Sequence, residues 1–200
     1  MTRLPSGIVG CALVALAAFA SEGHAQDARV GITAGGLTAN YDAPATVSFS
    51  DRTGYLAGIF ADVLTPVGPL RVRVEGRWVR RGGDLVDGGG AEMDLLDVPL
   101  SLGVRFPVGP MALRPSVGFA LAYPLRVRSS ADIDAGFGDS ARTDATGFVA
   151  AELEIDLPRA LRLGAEIRSV RGLGASFEGP GGRLETRSTE FLLRLSRPVN

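Results

Sequence analysis

Leu95-Leu96-Asp97-Val98-Pro99-Leu100-Ser101-Leu102-Gly103-Val104-Arg105-Phe106, then Pro107-Val108-Gly109-Pro110, then Met111-Ala112-Leu113-Arg114-Pro115-Ser116-Val117-Gly118-Phe119-Ala120-Leu121-Ala122-Tyr123 carry two strands and the turn between them. In the first run Leu96, Val98, Leu100, Leu102, Val104 and Phe106 alternate with Leu95, Asp97, Pro99, Ser101, Gly103 and Arg105. In the second, Met111, Leu113, Val117, Phe119, Leu121 and Tyr123 alternate with Ala112, Arg114, Ser116, Gly118, Ala120 and Ala122. A period of two places successive side chains on opposite faces of a strand. Two such runs around a Pro/Gly turn predict a hairpin with one apolar face and one small, polar or charged face.

The same reading extends outward in both directions. Val30–Tyr41 alternates but slips phase at Gly35-Gly36, which predicts a bulge. Thr53–Leu64 carries Tyr55, Ala57, Ile59, Ala61 and Val63 on one face. Leu70–Arg81 sets Leu70, Val72, Val74, Gly76 and Trp78 against Arg71, Arg73, Glu75, Arg77 and Val79. Thr143–Leu157 and Ala160–Arg171 are rich in good helix formers. Their charges nevertheless alternate strictly with Leu153, Ile155, Leu157 and with Leu161, Leu163, Ala165, Ile167, so both are expected to be strands. A last strand is expected near Glu185–Ser196. Pro99 and Pro115 give no N–H to a sheet ladder, so local bulges are expected there.

Eight strands result, and their connections alternate in length. Asp42–Arg52, Gly82–Ala91, Arg128–Arg142 and Gly172–Arg183 are long; Pro66–Pro69, Pro107–Pro110 and Pro158-Arg159 are tight. That rhythm predicts an all-β, eight-stranded antiparallel up-and-down transmembrane β-barrel, with short turns on the periplasmic side and long loops outside. Every Tyr and the one Trp (Tyr41, Tyr55, Trp78, Tyr123) fall toward the long-loop ends, as an interfacial aromatic girdle requires. Val98, Leu102, Val117, Leu163 and Ile167 are expected to face lipid. Arg71, Arg73, Arg77, Arg105, Arg114, Arg162, Arg168 and Arg194 are expected to meet Glu75, Asp97, Glu152, Glu154, Asp156, Glu166 and Glu190 inside, with Gly103, Gly118, Gly147 and Gly164 giving them room. The alternative is a secreted or periplasmic lipocalin-like carrier of a small apolar ligand, its cavity lined by Leu96, Val98, Leu100, Phe119 and Leu121.

Residues 1–25 read as a secretory signal peptide: Arg3, an apolar run over Ile8–Ala20, and Gly23-His24-Ala25 as the cleavage pattern. Residues 26–200 are then the barrel domain, sited in the outer membrane. Cys11 is the only Cys and His24 the only His, so the mature chain holds neither, and no disulfide forms. All 21 basic residues are Arg, and the formal net charge is −1, which excludes nucleic acid as a partner.

Asp94-Leu95-Leu96-Asp97-Val98-Pro99-Leu100-Ser101-Leu102 and the Gly-rich first strand resemble the porin-family outer-membrane β-barrel domain over about residues 28–196. The resemblance implies a bacterial outer-membrane protein, with outer-membrane lipid, lipopolysaccharide and the barrel-insertion machinery as partners. Such barrels commonly end on an aromatic residue, whereas the last aromatic here is Phe191. Enzymes of this shape use a His base, which the mature chain lacks, so no enzymatic activity is expected. Ser116 is no nucleophile elbow, because Arg114 stands where Gly is needed. Gly172-Leu173-Gly174 lacks the rest of a nucleotide fingerprint. Asp132, Asp134 and Asp139 do not have the spacing of a calcium loop. No catalytic, cofactor-binding or metal residue is therefore expected. Any extracellular ligand would meet the long loops, which is where a rigid scaffold carries recognition.

Overall fold

The computed structural model describes residues 28–42, 49–66, 68–85, 90–129, 143–173, 177–179 and 182–199. Eight long strands close into an antiparallel barrel: β1 (Arg29–Asp42), β2 (Phe49–Leu64), β3 (Leu70–Leu85), β4 (Gly90–Val104), β6 (Met111–Ser129), β7 (Asp144–Asp156), β8 (Arg162–Gly172) and β10 (Gly182–Pro198). Each pairs with its sequence neighbour among these eight, and β1 closes on β10. Two three-residue strands complete the sheet. β5 (Phe106–Val108) carries the line of β4 past Arg105, and β9 (Phe177–Gly179) pairs with the start of β10.

Paired residues run once around the barrel from Gly54 through Leu37, Glu190, Arg168, Ala150, Ser116, Gly103 and Arg71 to Leu64. The start and end of that circuit lie ten residues apart on β2. With eight strands, this stagger tilts them by about 40° and leaves an interior only as wide as side chains can span.

Period two is obeyed as read. β7 and β8 are strands despite their helix-forming composition, because an alternating pattern buries one face only in a sheet. Glu152 and Glu154 are 2 % exposed while Leu153 and Ile155 between them are 41 % and 38 % exposed. Val117, Phe119 and Leu121 point outward in the same way. The residues that would line a lipocalin-like cavity therefore lie on the outer face, and that alternative is wrong.

Three local expectations fail for identifiable reasons. β1 has no bulge at Gly35-Gly36; it stays in register with β10 throughout and with β2 over Arg29–Ala39. The strand keeps its phase, and Leu37 and Ala39 turn inward, where Leu56, Val79, Met93 and Leu95 are also buried. Gly35 allows β10 to approach, since a Cβ there would meet the Phe191 carbonyl. Pro99 and Pro115 do not shift the register. Around each, the ladder skips pairs (Glu75 and Gly76 are unpaired with β4 opposite Pro99) and then resumes in step. The shift in this hairpin lies instead where Asp94 pairs with Arg126 and Leu95 with Pro124. Finally, the strands outrun their periodicity: Phe49–Arg52, Gly82–Leu85 and Gly90-Ala91 belong to strands though they read as loop. Past the apolar band a hairpin keeps its hydrogen bonds without needing an apolar face, so its Gly/Asp composition hid it.

The tight turns match their chemistry. Gly68 and Gly109 of the two Pro-Val-Gly-Pro repeats both have φ of 61°. In the third turn, Arg159 and Ala160 adopt φ of 64° and 59°, an uncommon conformation for non-glycine residues. The Arg29 guanidinium donates to the Ala160 carbonyl at 2.8 Å and ties this turn to the first strand.

Candidate functional site: the charged lumen and the aromatic rim

Inward positions of the strands bring charged side chains from opposite walls to one axis. Near the short-turn end, Asp62 accepts from Arg71 Nε (2.5 Å), Arg73 Nε (3.0 Å) and Arg114 Nη1. Arg73 also donates to Glu152 at 2.7 Å, joining β3 to β7 across the interior. In the middle, Glu75 Oε1 accepts from Arg168 (2.6 Å) and Arg194 (3.0 Å), and both cations also engage Glu166. Arg77 donates to Asp97 at 2.5 Å and to Glu190 at 2.8 Å. At the short-turn rim Arg105 bridges Glu154 and Asp156, and Arg162 donates to Asp156.

Every charged residue expected inside is in this network. The third and sixth long strands do interact across the axis, as the Arg-rich and Glu-rich patterns require. The sequence reading missed Asp62, the acid with the most guanidinium donors. With Asp62 the eight Arg side chains face eight carboxylates, so the network is balanced in formal charge. The inward phase of β2 was the signal available for it. Two inward aromatics were also missed. The Arg73 and Arg194 guanidinium carbons lie 4.8 and 5.7 Å from the Phe60 ring centroid, and that of Arg168 lies 4.1 Å from the centroid of Phe148. A planar cation over a ring face gains attraction while staying shielded from water.

The expected roles of the glycines hold in part. A Cβ at Gly103 would sit 2.8 Å from Arg114 Nε, so this glycine makes room for an Arg. Gly164 makes room for the Glu152 carboxylate, and Gly118 for the Phe148 ring. Gly147 is a correction: it faces outward, toward Leu173. What remains between Phe60, Asp62, Arg73, Glu152, Arg194 and Ser196 is a void of about 10 Å³, the room of about one water molecule.

Toward the long-loop end the lumen changes character. Leu37, Leu56, Val79 and Leu95 are buried there beside a second polar group, in which Arg81 approaches Asp144 at 3.7 Å and Thr186 donates to Asp144 at 3.1 Å. Above them Glu92 accepts from Arg52 (2.8 Å) and Arg128 (2.5 Å).

On the outer face, Tyr55 and Trp78 meet edge to face at 5.2 Å, and Tyr123 lies two strands further round with β4 between, since Leu96 pairs with both Trp78 and Tyr123. Arg80 lies over both Tyr55 and Trp78 and forks onto Asp94 at 2.7 and 3.2 Å. Of the aromatic girdle expected from the sequence, Tyr55, Trp78 and Tyr123 are thus at the long-loop end of the outer face; position 41 of β1 is in phase with the inward positions 37 and 39, and the Tyr41 side chain lies outside the described residues. Asp132, Asp134 and Asp139, and the centres of the four long loops, lie outside the described residues. Among the described residues no group of three His, Cys, Asp or Glu is placed to hold a metal ion.

Solved structures share this architecture at low sequence identity. Neisserial surface protein A (NspA) superposes with a TM-score of 0.58 at 15 % identity, covering 86 % of this chain and 97 % of that one. The outer membrane protein OprG from Pseudomonas aeruginosa superposes with a TM-score of 0.59 at 11 % identity, covering 88 % of this chain and 99 % of that one. At these identities the likeness shows the fold. No curated protein matches the chain. The family model of the outer membrane protein beta-barrel domain matches residues 11–195, and the chain belongs to that family, a bacterial outer-membrane β-barrel.

Proposed function

We propose that this protein is a non-enzymatic outer-membrane scaffold whose lumen is closed by its own ion network and whose recognition surface is its long loops. The observation that carries the reading is the ion pairing inside. Buried guanidinium and carboxylate groups meet at hydrogen-bonding distance across a barrel too narrow for a water column. An open pore would leave such groups lining water, free to move with passing ions; here they hold one another from opposite walls. The absence of His after His24 supports a role without acid–base chemistry at neutral pH. In this reading residues 1–25 are removed on export. The tight turns face the periplasm, and the long-loop ends of the strands face outside, with lipopolysaccharide around them. The insertion machinery acts on a final strand whose last aromatic is Phe191.

Planar-bilayer recording tests closure. The purified protein is expected to give no stable stepwise current. Long-lived, water-sized conductance steps in the wild-type protein would overturn it.

A further inference from the structure

We infer that the outer face of β8 and β10 binds the phosphate headgroup of an outer-leaflet lipid through Arg171 and Arg187. These two residues are direct cross-strand partners. Both point outward and are exposed. Like charges placed opposite each other repel and weaken a strand pair. Among the described residues, the other cross-strand clusters of Arg have an acid built into them, and this one does not. Among the described residues, neither guanidinium has a carboxylate within ion-pairing distance, and Glu185, two residues further out on β10, forms no ion pair with Arg187. The contrast with Arg80 at the same end of the barrel is direct, since Arg80 is neutralised by Asp94 and covered by two rings.

The outward ladder below the pair reads like a lipid molecule. Arg171 and Arg187 are followed by Ser169 opposite Thr189, then Ile167 opposite Phe191, Ala165 opposite Leu193 and Leu163 opposite Leu195. Cations come first, hydroxyl donors second and apolar side chains third, which is the order of phosphate, ester or sugar, and acyl chain. The height also agrees. Arg187 and Arg197 share the outward face of β10 and close the two ends of its apolar stretch. Ten residues at roughly 3.3 Å each, tilted by about 40°, span about 25 Å along the membrane normal, the height of the lipid-facing band of such barrels. The Arg pair therefore stands at the polar border of the band, where a guanidinium fork pairs with phosphate oxygens in a poorly screened setting. The site depends on the lipid-facing placement of this surface and is independent of whether the lumen conducts.

The test uses full-length protein in maltoside micelles and native mass spectrometry. The probes are phosphatidic acid, the diacylglycerol with the same chains, and inorganic phosphate. The wild-type protein is expected to retain phosphatidic acid at about tenfold lower concentration than diacylglycerol, a difference that two charge-assisted hydrogen bonds supply. The double variant Arg171→Gln/Arg187→Gln should lose that preference, while Arg197→Gln should keep it. Ser169→Glu, which sets an acid beneath the pair and leaves both cations in place, should also lose it. Retained preference in the double variant and in Ser169→Glu overturns the site. Displacement of phosphatidic acid by millimolar inorganic phosphate overturns the lipid assignment in favour of a free-anion site. Heat-modifiable migration on a gel confirms that each variant is folded.

Discussion

The two faces of a single strand differ more than any two strands do. On β8, Gly164, Glu166, Arg168 and Val170 are buried, and Leu163, Ala165, Ile167 and Ser169 between them are exposed. A water-soluble barrel also alternates, with the opposite face inward, so alternation by itself does not say where water is. The distinguishing fact is partner geometry. Charges that face solvent are under no constraint to match one another, whereas here Arg168 reaches Glu75 on the far wall and Arg73 reaches Glu152. Matching across the axis shows that the charged face is the enclosed one, and the apolar face is left for lipid.

The sharpest way to break this comparison is to unbalance the enclosed face. Asp62→Ala would remove the acceptor that Arg71, Arg73 and Arg114 share, and is expected to destabilise the barrel by about 3–5 kcal/mol. Glu152→Ala should approach that value, because it leaves Arg73 with a weaker set of acceptors. Asp51→Ala, at an exposed site hydrogen-bonded to Asn40, should cost less than about 0.5 kcal/mol. Urea titration of the protein folded into vesicles reads all three, and equal effects would show that the inner charges are solvated.

Next in size is the converse change on the outer face. Val117 is 58 % exposed near the middle of β6. Val117→Arg is expected to cost about 2–4 kcal/mol in a bilayer and to slow insertion. A neutral effect would mean that this face meets water.

A smaller effect sharpens the account of packing within the lumen. Gly164→Ala would press a methyl group on the Glu152 carboxylate, and is expected to cost about 1–3 kcal/mol. Gly147→Ala, whose Cβ faces outward toward Leu173 at 3.4 Å, should be close to neutral. The smallest expected change lies outside both faces. Ala160→Gly should stabilise the third tight turn by up to about 1 kcal/mol, since Ala160 has a φ of 59°.

Much of this was legible in the residues, and the illegible parts share a cause. The strands of strict alternation, β3, β7 and β8, declared both their faces, and their charges lie where the pattern placed them. Asp62 escaped because the inward positions before it on β2, Gly54, Leu56, Gly58 and Phe60, are not charged, so a single acid at the end of the row looked incidental. Its role depends on β3 and β6 converging on it, which is tertiary information. Leu37 and Ala39 misled in the opposite sense. They are apolar and inward, and only the neighbours Leu56, Val79 and Leu95 explain why the lumen accepts them. Gly147 is outward by its own strand pattern, since Phe148 and Glu152 are inward, and a glycine carries no side chain that would mark its face. The extensions of β2, β3 and β4 past the apolar band carry no periodicity to read, because nothing on either side demands it.

Accessibility of single spin labels is the most direct measurement of the central claim that the apolar face is in lipid and the charged face is enclosed. Labels at Val117 and Ile167, both exposed on the outer face, are placed in protein reconstituted into vesicles. The account predicts strong relaxation by oxygen and little by a water-soluble nickel chelate at both sites. Strong relaxation by the chelate and weak relaxation by oxygen would contradict it.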